Sequence, residues 1–570
     1  MADFKRLSLI LMTSCAGMTL AACDGADSIA SPGSGNVIIN PPAPTPSPTP
    51  TPTGTPTPSA ITAAAFAAPS GGTTSANGGN ATISITSEEQ LALITGAPGS
   101  NNNPNGLRLF AAGNGPNLAA PTLAAGGTLP TATDPTTLNA ATGQSFFQAG
   151  TFLGAFSSAN DTSFQGWTCN SPSATFNPGS SSTCNTPPLA VAAAATPAAS
   201  ACPTDTTDAG TNTNVRLCRI PNAITRNLTL PNVAGVAYLL DGNTEVGVDV
   251  GPTGAAAGGV RATLTIAAGV TIVANPADQA NDVLLVNRGS QIQAVGTATQ
   301  PIVFTSRQNL AATGTSDATQ GQWGGIILLG QAPVGVCRNG VTNNAAGSVA
   351  NCENTIEGLT TTRLYGGTDA TSSSGRMSYV QIRFTGVDIS AGGGNELQGL
   401  TLGGTGNGTV IDHIQSHNSA DDGIEIFGGT TNLRYVAITG ADDDGFDVDN
   451  GFRGLTQFLV VAQRPSGSTS DSFTMEIDSN GSEDLLPRTY PQISNFTYIH
   501  TAATSGALRI RGGTDLRLVN GVLQSAVPCL NIIAQGASAT DRSTLRAADQ
   551  SLQDVGPPIF TSIYFACSNR

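Results

Sequence analysis

Between Met377 and Gln535 the chain repeats its own pattern of apolar and polar positions. Apolar residues three apart recur at a step of 22: Ile411 with Ile414, Leu433 with Val436, Leu455 with Phe458. A second motif keeps that step, Ile424-Glu425-Ile426 being answered by Phe446-Asp447-Val448, and each copy ends in a small turn, Gly428-Gly429 and Asn450-Gly451. Farther on, Ile493 with Phe496 and Leu516 with Val519 continue the first motif, and Leu508-Arg509-Ile510 with Gly512-Gly513 continues the second. Each run alternates over only three to six residues, which is a strand period and not a helical one.

Short alternating runs separated by Gly, Asn and Asp turns, at a period of about 20–25 residues, describe one coil of a solenoid. Each coil supplies two or three short strands that stack in parallel on those of the next. The chain winds on by one level per turn and needs no helical crossover. The expected fold is therefore all-β, a parallel β-helix solenoid over 223–539, closed by a small cap over 540–570. The cap is expected as one short helix over Asp541–Asp554, ended by Gly556-Pro557-Pro558, and a last strand at Ile559-Phe560 and Ile563-Tyr564-Phe565.

Composition agrees. With 68 Gly, 35 Pro and only 11% charged residues, the chain is poor in the Lys, Glu and Gln that cover helical surfaces. A net charge of −15 argues against nucleic acid or an anionic membrane surface as partner and is compatible with binding cations.

The first 22 residues read as a signal peptide: Lys5-Arg6, an apolar run from Leu7 to Leu20 too short to span a bilayer, then Leu20-Ala21-Ala22-Cys23. This box resembles a bacterial lipoprotein signal, which implies cleavage before Cys23 and a lipid anchor on it, hence a cell-envelope protein, expected at the outer membrane and facing outward. Asp24 is the residue type that retains lipoproteins at the inner membrane in some lineages, so both membranes stay open. Residues 23–59 follow as a tether, with Pro alternating with Thr, Ser or Ala from Pro41 to Pro58, a polyproline II pattern.

Residues 60–222 are rich in Ala, Gly and Thr and carry four cysteines. They read either as a small disulfide-bonded domain or as loops covering the start of the solenoid, with a helix start at Ser87-Glu88-Glu89-Gln90. Trp167, beside Cys169, reads as a core filler. Setting aside Cys15 and Cys23, eight cysteines remain, and pairing by proximity joins Cys169 with Cys184, Cys202 with Cys218, Cys337 with Cys352 and Cys529 with Cys567. Connectivity stays open on sequence alone. Loops of about 15 residues stabilise by roughly 3 kcal/mol each in the chain-entropy model, and such bridges belong to an oxidising compartment.

From Asn227 strand signals become regular. Leu264-Thr265-Ile266-Ala267-Ala268-Gly269-Val270-Thr271-Ile272, Arg288-Gly289-Ser290, Pro301-Ile302-Val303-Phe304-Thr305-Ser306 and Gly321-Gln322-Trp323-Gly324-Gly325 together resemble a family of exported bacterial right-handed, pectate-lyase-like β-helix lipoproteins. Ala420-Asp421-Asp422-Gly423-Ile424-Glu425 and Ala441-Asp442-Asp443-Asp444-Gly445-Phe446-Asp447 fit the same pattern. The resemblance covers 225–535 and implies fold, handedness and export, and no particular reaction. Gly269 and Gly289 are expected at corners needing positive φ, and Trp323 under the first coils.

Chemistry concentrates between Asp412 and Asp478, where twelve carboxylates stand against Arg434, Arg453 and Arg464. The 22-residue step places Asp421 over Asp443, Asp422 over Asp444 and Glu425 over Asp447. At the spacing of stacked strands, about 4.8 Å, unpaired carboxylates repel by about 1 kcal/mol per pair even in water. These six are the candidate ligands for Ca²⁺, which takes several oxygens. The competing reading makes them turn formers that accept backbone N–H groups at corners. The expected function is a lipid-anchored surface protein that binds a glycan or a partner protein on the β-helix face. One alternative is an accessory lipoprotein of an outer-membrane transporter, the other a polysaccharide lyase or glycosidase. Asp421-Asp422 resembles the aspartate pair of polygalacturonase-like hydrolases, with His413, His417 and Arg434 nearby. That family's Asn-Thr-Asp, His-Gly and Arg-x-Lys signatures are missing, however, and no catalytic residue is assigned. For a lyase, Arg509 and Arg511 are the only candidate bases on one face.

Overall fold

The structure, a computed structural model, describes residues 132–567 apart from short internal gaps, and the strands Thr73–Asn77 and Asn80–Ser84. The lipidation site Cys23, the tether and the helix start at Ser87 lie outside the described residues.

The solenoid is present. Parallel strands stack coil on coil into a sheet of short strands running from Ala223–Ile224 to Leu530–Gln535, and a sheet of longer strands running to Ile559–Cys567. In the early coils the longer sheet is made of separate arms, Gln291–Val295 and Ile302–Ser306. Gly375–Arg383 pairs with both, Ile292 with Gly375 and Ile302 with Val380, and from there on one strand spans the two faces. The interior is a continuous apolar column, with Ile424, Phe446, Met475 and Leu508 stacked in register. Gly269 and Gly289 have φ of 78° and 83°, and Trp323 is fully buried against Phe304, as expected.

The spacing of three in the first motif has a specific cause. In a flat strand, residues three apart face opposite ways. Here a residue in the left-handed backbone region turns a corner between them: Tyr379, His413, Tyr435, Phe458, Asn495, Asn520 and Ser562 all have φ between 53° and 60°. Both neighbours of the corner, such as Ile411 and Ile414, therefore point inward. This corrects two registers. Thr456 and Leu459, not Leu455 and Phe458, lie over Leu433 and Val436, and Leu518, not Leu516, lies over Ile493. Phe458 is the corner residue and faces outward. Asn and His are at home in this conformation, whereas Tyr and Phe are not. The rings are held by stacking on one another: ring centroids are 4.2 Å apart for Tyr379–His413, 4.5 Å for His413–Tyr435 and 4.7 Å for Tyr435–Phe458.

The described residues between 132 and 186 cover that outward ladder as a strap running back across the coils. Asn520 Nδ2 donates to Thr133 O (2.6 Å), Asn495 Nδ2 to Gly150 O (2.9 Å), and Gln457 both accepts from Gln148 N and donates to Gln148 O (2.8 Å each). Gln415 does the same with Cys169, and Arg383 reaches Cys184 O at 2.9 Å. The amide side chains of successive coils thus act as a ladder edge for the strap's backbone. Trp167 is a core filler, 1% exposed, packed on Phe164 and His413. Disulfides join Cys169 to Cys184, Cys202 to Cys218 and Cys337 to Cys352. Cys529 is also disulfide-bonded, and the side chain of Cys567 lies outside the described residues.

At the C-terminal end Ile559–Cys567 is the expected last strand, a further rung on Arg517–Ser525. The helix expected over 541–554 is, in its described part, a 3-10 turn at Gln550–Leu552. Asp549 and Asp554 bond to each other's backbone and close a loop. That loop is anchored by Arg488, 1% exposed, which sits 3.4 Å from both Asp515 and Asp554. The hairpin Thr73–Asn77 and Asn80–Ser84 pairs antiparallel with Leu530–Gln535 and covers the last edge of the short-strand sheet.

Truncating Trp167 to Ala removes the center of the strap's packing and is expected to cost about 3–5 kcal/mol in chemical denaturation. A second outcome concerns pH. His417 is 2% exposed, and burial, followed by the charges of Arg383 and Arg464, lowers its pKa to about 3. The folded state keeps it neutral while the unfolded chain protonates it near the ordinary value of 6.5. Its contribution to stability is therefore complete above that value and is lost as pH falls. Relative to His417→Gln, the native protein should lose about 1.4 kcal/mol per unit as pH is lowered from 6 to 4, read from paired denaturation curves.

Candidate metal centre

The outward positions of the short-strand sheet form one register row. Leu285, Ile327, Thr401, Glu425, Asp447, Glu476, Arg509 and Asn531 succeed one another, coil by coil. The row changes character along its length. Its apolar start is covered by an insertion held by the Cys337–Cys352 disulfide, whose Val334, Cys352, Ile356 and Tyr365 pack on Leu285, Ile327, Leu329 and Phe427. At its far end Arg511 pairs with Glu476 at 2.6 Å and Asp478 at 2.7 Å, and Arg509 lies 3.4 Å from Glu476 and over the Phe473 ring. Between the two, Glu425 and Asp447 stand side by side.

The corner before each strand adds more acid. Asp422 and Asp444 each accept a backbone N–H from the next coil: Asp444 N donates to Asp422 Oδ1 at 2.8 Å, and Phe473 N donates to Asp444 Oδ1 at 2.5 Å. The turn-forming reading therefore holds for both of these residues. Asp447 Oδ1 likewise accepts the Val448 N–H at 2.7 Å, and Asp443 Oδ1 accepts the Thr469 hydroxyl at 2.7 Å, whereas no such bond reaches Glu425 Oε2. Carboxylate oxygens of Asp421, Asp422 and Asp443 lie within 4.8 Å of one another, and so do those of Asp422, Glu425 and Asp447. Asp422 is 6% and Glu425 7% exposed, and Glu425 Oε2 is buried with no hydrogen-bond partner. Of the six candidates, five converge in these two triads. Asp444 belongs to neither and is occupied with the next corner.

The structure adds two residues that the acidic pattern does not contain. Gln398 Nε2 donates to Glu357 Oε1 at 2.9 Å and to Asp421 Oδ2 at 3.3 Å, which brings the insertion's Glu357 to the edge of the cluster. Glu357 lies on no repeated rung, whereas Gln398-Gly399-Leu400 holds the corner position of Asp422-Gly423-Ile424 one coil earlier, with an amide in place of the acid. The only sequence signal near Glu357 is the short disulfide loop that ends at Cys352.

Burial pushes the carboxyls of Asp422, Glu425, Asp444 and Asp447 well above the ordinary carboxylate range. Neighbouring negative charges add to it: Asp421 for Asp422, Glu357 for Glu425, and Glu476 for Asp444 and Asp447. A set that resists ionisation in this way gains a great deal from a cation. The geometry suits Ca²⁺, because two oxygens on one ion at about 2.4 Å can lie at most about 4.8 Å apart.

The other candidates are engaged elsewhere. His413 is in the aromatic ladder and bonds Asp412 at 2.8 Å, His417 bonds Thr439 Oγ1 at 2.8 Å, and Arg434 lies over the Phe146 ring. Arg509 and Arg511 are tied to the acids beneath them.

Residues 252–560, more than half of the chain, match the family model described as the pectate-lyase-like beta helix domain, and the chain belongs to that family. No curated protein and no solved structure matches it.

The corner role of Asp444 is separable from its charge. Asp444→Asn keeps an acceptor for Phe473 N–H and removes a buried charge, so without metal it should match or exceed the native protein in stability. Asp444→Ala orphans that N–H and should cost about 1–3 kcal/mol, with melting curves as the readout.

Proposed function

We propose that this member of the β-helix family is a lipid-anchored envelope protein that binds a divalent cation of the calcium class on the acidic rungs of its short-strand sheet and uses that face to hold a glycan or a partner protein. The observation that carries the reading is Glu425: its Oε2 is buried and has no hydrogen-bond partner, and its carboxylate lies within 4.8 Å of those of Asp422 and Asp447. A buried carboxylate in that position is costly without a counter-charge. The lipid box ending at Cys23 supports envelope anchoring, and a protein kept at its cell acts on something brought to that cell.

The lyase alternative is less well supported. It needs a basic residue above the cation, and Arg509 and Arg511 already neutralise Glu476 and Asp478. A glycan held without cleavage needs no such base.

Calorimetric titration of Ca²⁺ into metal-free protein should give heat and raise the melting temperature. At one hundred times the Kd the gain is about 2.7 kcal/mol. With Ca²⁺ present, polysaccharides should retard the protein in affinity gels and yield no unsaturated product absorbing in the ultraviolet. Absence of both heat and thermal shift would reject the cation, and appearance of product would replace binding with a lyase.

A further inference from the structure

The two acidic triads share one residue, Asp422. Six carboxylates, Glu357, Asp421, Asp422, Glu425, Asp443 and Asp447, meet in this region, and the arginines at the end of the row are bound to Glu476 and Asp478. A cation is what favours the charged form of Asp422 and Glu425, both more than nine-tenths buried, and each triad supplies three carboxylate oxygens for one. The two triads also differ in place. Asp421, Asp422 and Asp443 belong to the corners, whereas Glu425 and Asp447 belong to the strands Ile424–Phe427 and Phe446–Asp449. A single ion at one triad does not satisfy the other.

We propose that the site is a two-cation centre: one divalent ion on Asp421, Asp422 and Asp443, a second on Asp422, Glu425 and Asp447, with Asp422 bridging the pair. Asp422 Oδ1 already accepts the Asp444 N–H, which fixes the carboxylate's orientation. Glu425, with its unpartnered Oε2, is the residue that points to the second ion. Carboxylate-bridged metal pairs sit about 3.5–4 Å apart, a spacing that a shared carboxylate between adjacent coils allows. Glu357 closes the centre from the insertion. Gln398 holds it beside Asp421, donating to Glu357 Oε1 and Asp421 Oδ2.

This inference rests on the cation reading above, and the test separates the two. Equilibrium dialysis of the full chain, disulfides intact, measures calcium bound per molecule. The expected result is two per chain for the native protein and one for Glu425→Gln, which removes only the strand triad's charge. Asp422→Asn, which can still accept the Asp444 N–H, should weaken both ions, and Glu357→Gln should lower affinity about tenfold without changing the number. Circular dichroism and melting of each metal-free variant confirm that it folds. A native stoichiometry of one, or two ions still bound by Glu425→Gln, would overturn the two-cation centre and leave the cation reading intact. No bound calcium at all removes both.

Discussion

Stacking in parallel at about 4.8 Å sets each side chain directly over its counterpart in the next coil. Inside the solenoid this is favourable, because Ile424, Phe446, Met475 and Leu508 bury apolar surface against their own kind. Outside, the same rule offers no choice of partner, and a carboxylate at one rung meets whatever the next rung places above it. The acidic face is the consequence. Thr401 over Glu425 is harmless, Glu425 over Asp447 is repulsive, and Glu476 is answered by Arg509 and Arg511. Charge is thus compensated at one end of the row and left standing in the middle.

The corner residues show the same rule working for the fold. An Asn ladder needs only backbone to bond, and Asn495 and Asn520 find it in the strap at Gly150 and Thr133. The aromatic part of the ladder cannot hydrogen-bond in this way and stacks, with Trp167, Phe164 and Phe152 laid on top. Strap and ladder therefore stabilise each other. The strap has little regular structure of its own, and the corner aromatics would be exposed without it. Length does not limit this partnership, since Gln148 and Gln457 meet across 309 residues of chain.

That separation explains what could be read from the sequence. Ile424-Glu425-Ile426 over Phe446-Asp447-Val448 was legible because no insertion interrupts those two coils, and the five converging acids followed from it. Met475-Glu476-Ile477, the next rung, breaks the 22-residue step because a longer loop precedes it. The register at Leu455 and Phe458 is misplaced by one residue in the sequence pattern, because hydrophobicity cannot distinguish a side chain in the core from one under a strap. Glu357 is invisible for a related reason: it approaches the cluster from an insertion whose docking is fixed by apolar contacts, with no periodicity to reveal it, while Gln398 sits at the Asp422 corner one coil earlier and differs from it only in carrying an amide. Local repetition carries the coil, and the parts that cover the coil are written nonlocally.

The coverings divide the outer surface unequally. The strap seals the long-strand sheet with backbone hydrogen bonds and aromatic packing, a closed and apolar contact. The insertion seals only the beginning of the short-strand sheet, and its contact turns from apolar at Tyr365 and Phe427 to carboxylate at Glu357 within a few residues. Where it meets the acidic rungs it brings another negative charge instead of the arginine that would have neutralised them. Arginine is used for that purpose two coils away, so its absence here follows from the residues this insertion carries and not from any inability of the fold. That surface is closed by packing at one edge and by ion pairs at the other, and between them Glu425 Oε2 is buried without a hydrogen-bond partner, a demand that a cation meets.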